Sequence, residues 1–330
     1  MMKWLSRGLM LVLLLAVGWL SWVVFVPVSL PSSSYNITIG PSRTLSQVAH
    51  GLQEEGVIRS RMVMVALARI EGTDRHIKAG LYRFSGPVSM WQILQRFTEG
   101  RPDEASVTVV EGWTFRQFRA ALDQSPDVKH DSAGLSDAEV LQRIGAEGAL
   151  PEGLFFPSTY YFTPGASDME LLDRAYQTMQ RKLADAWMQR AADLPLASPY
   201  QLLTLASLIE KETARPGDRP MIAAVFVNRL KKKMRLQTDP SVIYGMGPLY
   251  DGHIGKADLK RDTPYNTYTR DGLTPTPIAL PGQAALEAAA HPAASDVLYF
   301  VASGDGGSHF STTLEAHNSA VRKYILKKGN

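Results

Sequence analysis

Two glutamates, Glu210 and Glu212, close the word LASLIEKET, and carboxylates are the main catalytic chemistry this chain offers. It contains no cysteine, which excludes thiolate nucleophiles, thiolate zinc sites, iron–sulfur ligation and disulfides together. None of the words G-x-S-x-G, S-x-x-K, H-E-x-x-H, G-x-x-x-x-G-K or G-x-G-x-x-G occurs. Serine hydrolase, zinc protease and nucleotide-binding readings therefore lose their main support. The seven histidines lack the i, i+4 spacing that brings two imidazoles to one metal. No metal and no cofactor is expected.

The two glutamates need an element to hold them. Ser198 is placed as an N-cap with Pro199 at the first helical position, opening the helix SPYQLLTLASLIEKET. That helix is apolar nearly all round from Leu202 to Ile209, the signature of a buried helix. At 100° per residue Glu210 shares a side with Leu203, Ala206 and Ser207, while Glu212 faces the other way with Leu205 and Leu208. Both sit at the C-terminal end, where the helix dipole and partial burial disfavour a charged carboxylate. A carboxyl that keeps its proton near neutrality can act as a general acid. The competing reading is a buried ion pair with Lys211, Arg215 or Arg219.

Other elements flank this helix. Upstream, PEGLFFPSTYYF (151–162) precedes a long amphipathic helix from Asp168 to about Ala192. Downstream, Asp218 is placed to cap a helix from Pro220 to about Lys232, and a Gln237-Thr238-Asp239-Pro240 corner restarts a short helix toward Tyr244. There Asp239 reads equally as an N-cap or as a site residue. LYFVAS and SHFST around a GDGG turn predict a β-hairpin. A last helix begins at Thr312 or Thr313 with Glu315 placed for a capping box, and His317 reads as structural.

In a chain of 330 residues, enough for two or three domains, the first segment differs in kind. Leu9 to Val28 carries no charge over about 20 residues, long enough to span a hydrocarbon core of about 30 Å. It is longer than a signal-peptide core and lacks a small-residue cleavage site. With Lys3 and Arg7 ahead of it, it predicts a single-pass inner-membrane anchor (9–28), a cytoplasmic tail (1–8), and an exported remainder. A Pro/Ser linker (29–36) follows. Strand and helix signals at 37–39, 61–70, 80–84 and 89–98 describe a small α/β module. Its opening, Ile37–Val48, is echoed by Val107–Phe118, either as a duplication or because capped strand–turn–helix units are common. This places a module with its echo at 37–120, a connector at 121–150, and a catalytic half at 151–330. A formal charge of +3 argues against a nucleic-acid partner.

Residues 205–247, LASLIEKETARPGDRPMIAAVFVNRLKKKMRLQTDPSVIYGMG, resemble the MltG-type endolytic murein transglycosylases, the YceG-like family. The resemblance extends to PEGLFFPSTYYF, TPYNTYTRDGL, PIALPG, AAAHPA, LYFVAS and SHFSTTLEAHN, covering most of residues 35–325. It implies an α+β fold in which an N-terminal transmembrane helix leads to a small LysM-like module and a mostly helical catalytic domain with a β-hairpin. It implies non-hydrolytic cleavage of peptidoglycan glycan strands at the MurNAc–GlcNAc bond, leaving 1,6-anhydro-MurNAc ends. The first Glu of E-K-E, here Glu210, is implied as catalytic. Glu212, Gln237, Asp239, Tyr265, Asn266 and Tyr268 match the family's words and are candidates for binding sugar. The implied partners are glycan strands, the inner membrane and peptidoglycan synthases. An inactive peptidoglycan-binding scaffold is the alternative. Ser158, Lys233 and Leu280 depart from the family's usual residues.

Overall fold

The computed structural model describes residues 2–32, 34–40, 43–100 and 103–326, with the side chains of 2–6, 9 and 34 outside the description. It divides into two compact units, Met1–Ser106 with Tyr161–Gly165, and Val107–Tyr160 with Ala166–Asn330.

The first unit opens with α1 (Met2–Phe25), followed by β1 (Ser34–Ile39), α2 (Leu45–Glu54), α3 (Arg61–Ile70), β2 (Gly80–Ser85) and α4 (Met90–Thr98). β1 and β2 pair antiparallel, from Ser34 opposite Ser85 to Ile39 opposite Gly80. Their inner face and the three short helices enclose a core around Tyr82 and Phe97, which meet edge to face at 4.9 Å. The helices start where Thr44, Ser60 and Ser89 accept backbone N–H groups of the first turn.

α1 ends inside this core, because Val23 and Val24 are buried in it. Arg59 donates to Val26 O at 2.6 Å and lies over the Trp22 ring at 4.2 Å. Val28 exchanges backbone hydrogen bonds with Val88. The free linker expected at 29–36 is accordingly shorter, with β1 already begun at Ser34. Upstream, Met10 to Leu15 are each more than half exposed. Among the described residues no helix is long and apolar enough to cross a membrane; Leu9 of the expected anchor and Lys3 of the expected cytoplasmic tail have side chains outside the description.

β3 (Ala105–Thr108) pairs with β4 (Thr159–Phe162), and the unit boundary falls within both strands. The second unit continues through α5 (Phe115–Asp123), α6 (Asp137–Arg143), α7 (Asp168–Gln189), α8 (Pro199–Glu212), α9 (Arg219–Lys231), α10 (Asp239–Met246), α11 (Lys256–Lys260) and α12 (Gln283–Ala290). It closes with the hairpin β5 (Tyr299–Ala302) and β6 (Ser308–Ser311) and with α13 (Leu314–Tyr324). α8 is the central element: every side chain from Leu202 to Ile209 is buried, with α7, α9 and α12 packed around it.

Three expectations change. The echo at 107–118 forms the same capped unit as 37–48, since Thr114 and Gln117 repeat the Thr44–Gln47 capping box. It belongs to the second unit, however, because Phe115 and Phe118 pack on Phe155 at 4.7 and 5.9 Å. Capping boxes also open α4 and α6, so the repeat is a recurring local device in this chain. Asp218 makes no side-chain capping bond, because Pro216–Asp218 form a single 3-10 turn ahead of α9. Glu315 closes no capping box either: Thr313 alone caps α13, accepting from Ala316 N–H. Lys233, one of the departures from the family pattern, has φ 55°, the left-handed region where glycine is at ease.

Phe155 is fully buried among Phe115, Phe118 and Tyr176. Phe155→Ala is expected to lower the stability of this unit by about 3–5 kcal/mol. Urea unfolding of both proteins, with an unchanged m-value, checks it.

Candidate active site

α8 delivers its two carboxyls into two different surroundings, because residues two apart on a helix diverge by about 200°. Helical backbone ends at Glu212, and Thr213 is extended.

Glu210 has a side chain only 5% exposed. Its Oε1 accepts from Arg219 Nη2 at 3.1 Å and its Oε2 from the backbone N–H of Gly282 at 2.9 Å. Arg219 opens α9 and is itself buried. Gly282 ends the PIALPG segment, which α8 also holds through Ser207: the Ser207 hydroxyl accepts from Ile278 N–H at 3.0 Å and donates to Thr204 O at 2.7 Å. A second loop closes over the helix end. Gly112 N–H donates to Leu280 O and Leu280 N–H to Trp113 O, at 2.9 and 2.7 Å, and Lys211 Nζ donates to Gly112 O at 3.2 Å. The result is an open cleft of about 450 Å³ lined by Glu111, Gly112, Glu210, Lys211, Glu212, Thr213 and Arg219 among others.

Of the two readings of Glu210, the ion pair with Arg219 is present. Glu210 stands in a cleft, and it is the partner of a buried arginine. Glu111, on the loop after β3, is a residue the sequence reading missed; its Oε2 lies 3.9 Å from the same Arg219 nitrogen. The only sequence signal was its place in the echoed segment.

Glu212 faces a second cavity, of about 430 Å³, whose walls include Arg229, Gln237, Asp239, Tyr268, Tyr299 and His317. Burial pushes its carboxyl up to about 7, opposed by the Thr238 hydroxyl that donates to it and reinforced by Asp239. Tyr268 donates to Asp239 Oδ1 at 2.5 Å, and Asp239 is the first residue of α10 with Thr238 in the cap position. Arg229 is held by the carbonyls of Leu298, Arg235 and Leu236. The ring of Tyr299 lies beside both Arg229 (5.2 Å) and His317 (5.3 Å, stacked). His317 is not the satisfied histidine expected: its Nδ1 is buried without a partner among the described residues. Burial and Arg229 lower its pKa, favouring the neutral ring. Gln237 holds φ 52°, a strained backbone for a non-glycine residue, at the wall of this cavity.

Four of the six candidate sugar-binding residues, Glu212, Gln237, Asp239 and Tyr268, thus share one cavity. Two do not. Tyr265 lies against Tyr244 at a smaller cavity that also contains Glu152, and its hydroxyl is 3.0 Å from that of Thr276. Asn266 is fully buried, its amide donating to the carbonyls of Asp258, Leu259 and Arg261 and so tying a loop. Glu152 was also missed. It accepts from Phe115 N–H at the start of α5 and from the Tyr244 hydroxyl, and burial pushes it up to about 7.

Comparison with known proteins gives a consistent picture. The profile of the YceG-like family matches residues 37–323. An endolytic murein transglycosylase of Bacillus subtilis (strain 168) is 35% identical over 315 residues, spanning 90% of this chain and 86% of that protein. One from Streptococcus pneumoniae (strain D39) is 28% identical over 342 residues; the match covers 92% of this chain and 61% of that longer protein. The crystal structure of a YceG-like protein from Listeria monocytogenes aligns with a TM-score of 0.57 at 30% identity, over 87% of this chain and 98% of that one.

Glu152 and Glu212 hold their protons up to about pH 7, whereas an unfolded carboxyl releases its proton near its ordinary value of 4.5. The stability conferred by the neutral form is therefore complete below pH 4.5 and lost as pH rises to about 7. Each group is expected to contribute a slope of about 1.4 kcal/mol per pH unit across that window. Glu152→Gln should remove one proton's worth of it, read from unfolding free energies at pH 5, 6 and 7.

Proposed function

This chain belongs to the YceG-like family, and from that premise we propose that it is an endolytic murein transglycosylase acting on peptidoglycan glycan strands with Glu210 as its catalytic group. The observation that carries the assignment is Glu210 itself. It is nearly buried, it stands in the last turn of the central helix at the E-K-E word, and it lies in an open cleft with both oxygens accepting hydrogen bonds.

The chemistry needs one carboxyl used twice. Protonated Glu210 donates to the glycosidic oxygen as the MurNAc C1–O bond breaks through an oxocarbenium-like state. The carboxylate that remains takes the proton of the sugar's own C6 hydroxyl as that oxygen closes on C1. Protons balance over the cycle, no water is consumed, and the tethered hydroxyl supplies its own proximity. The Gly282 N–H holds the carboxyl in place for both steps, and Arg219 orients it when it is ionised.

The cavity beyond Glu212 is the natural seat for a neighbouring sugar. Tyr268, Tyr299 and His317 offer ring surfaces, while Gln237, Asp239 and Glu212 offer hydrogen bonds. The uncharged run Leu9–Val28 and the exposed apolar side chains of α1 support a membrane anchor that exports both units. With α1 ending in the core of the small unit, that unit would stand at the membrane surface.

Glu111 in the same cleft favours one second reading, a two-carboxylate hydrolase. Mass spectrometry of digested, uncrosslinked strands separates them. Anhydro-MurNAc ends are expected; reducing ends would establish hydrolysis, and uncut strands a binding protein. Glu210→Gln is expected to lower turnover by about 100-fold or more while melting as the parent does; wild-type turnover would remove Glu210 from the mechanism. For topology, alkaline phosphatase fused after residue 36 is expected to be active, and an inactive fusion would place the second half in the cytoplasm.

A further inference from the structure

One nitrogen of Arg219 serves two carboxylates. Nη2 lies 3.1 Å from Glu210 Oε1 and 3.9 Å from Glu111 Oε2. The guanidinium is buried, and its Nε has no partner among the described residues, so the resting pose leaves one of its donors unsatisfied. The Glu111 carboxyl occupies space left by the glycine at 282: a Cβ there would fall 1.9 Å from Glu111 Oε1 and 2.2 Å from its Cδ. Gly282 has an ordinary extended backbone, φ −81° and ψ 178°, so the missing side chain serves close approach rather than conformation. Its N–H holds Glu210 Oε2 on one side while its bare Cα admits Glu111 on the other.

We propose that Glu111 is a positioning residue that takes Arg219 from Glu210 during each turnover. The inference rests on Glu210 being the acid and then the base. Oε2 is held by a backbone N–H that stays in place; Oε1 is held by a side chain that can leave. A proton on Oε1 removes the negative charge that retains Arg219, and Glu111 is the anion within reach. In that state Oε1–H is free to face the glycosidic oxygen. When the proton has gone to the leaving sugar, Glu210 is again a carboxylate and Arg219 returns to it, orienting Oε2 and Oε1 for the C6 hydroxyl proton. Glu111 neither gives nor takes a proton. Lys211 and Glu212 also line this cleft, but Lys211 is engaged with Gly112 O and Glu212 with Thr238, which leaves Glu111 as the carboxylate placed to receive the arginine.

The test uses the full-length protein in detergent with uncrosslinked glycan strands. Glu111→Gln is expected to lower kcat by about tenfold with KM within about twofold of the parent, and the remaining product to keep its anhydro ends. On an Arg219→Gln background, adding Glu111→Gln should change kcat less than about twofold, because the group it acts through is gone. Gly282→Ala gives an independent route if Arg219→Gln fails to fold. It keeps the N–H to Glu210 but displaces the Glu111 carboxyl, so it should lower kcat as Glu111→Gln does, and the two together should do no more than either. Wild-type kcat in Glu111→Gln, an effect confined to KM, or independent multiplication of the paired substitutions would overturn the proposal. So would reducing ends in the parent digest that vanish in Glu111→Gln, which would make Glu111 a base for water. Glu210→Gln runs alongside: a fully active Glu210→Gln sinks the reaction assignment, whereas an inactive one beside an unaffected Glu111→Gln sinks only the role given to Glu111.

Discussion

Helix α8 is apolar on every side from Leu202 to Ile209, so it is stable only when enclosed, and enclosing it obliges the rest of the second unit to wrap around it. The same burial dictates what happens at its end. The helix terminates in Glu-Lys-Glu, where the C-terminal dipole is unfavourable to anions, and the two carboxyls cannot all be returned to water. Each therefore needs donors supplied from elsewhere in the chain. Arg219 and the Gly282 amide meet Glu210, the Thr238 hydroxyl meets Glu212, and the Lys211 ammonium between them is tied down by the Gly112 carbonyl. The loop carrying Gly112 and the start of α9 at Arg219 also line the cleft.

This arrangement reconciles two readings of a buried glutamate that first look exclusive. An ion pair with arginine holds a carboxylate in one orientation, which a base requires. A proton donor requires the arginine to be absent or otherwise engaged. A mechanism that uses one carboxyl as both acid and base passes through both conditions, so a shared guanidinium with two carboxylate partners suits it better than a fixed pair. The Arg219 Nε, without a partner among the described residues, points the same way, since a fully satisfied arginine would be harder to move.

What was legible in the sequence was local. The Ser198-Pro199 start, the all-round apolar stretch and the 100° step per residue located Glu210 and sent Glu212 to the opposite side, and the structure has that geometry. The strand and helix order of the small module was likewise written in its alternation and its capping residues. What was not legible depends on long-range placement. Gly112 and Lys211 are 99 residues apart in the chain, and Glu210 and Gly282 are 72 apart; nothing in the spacing of either pair announces that they meet. Glu111 and Arg229 were passed over for that reason, while Asn266 was chosen for its chemistry although its amide is consumed by three neighbouring carbonyls. Misjudged caps at Asp218 and Glu315 have a smaller cause, a helix start displaced by a 3-10 turn or by one residue.

Glu210 and Glu212 show how far environment can separate identical side chains two positions apart. Glu210 turns toward a cationic group and a backbone N–H beside an open cleft. Glu212 turns toward a hydroxyl in a pocket walled by aromatic rings, where burial outweighs the nearby Arg229 and raises its carboxyl toward neutrality. A neutral carboxyl there can donate a hydrogen bond to a sugar as well as accept one, which an ionised one cannot. One helix end thus places a carboxyl at each of two cavities with different chemical linings. The rigid helix backbone, rather than any flexible loop, sets the distance between the two carboxyls.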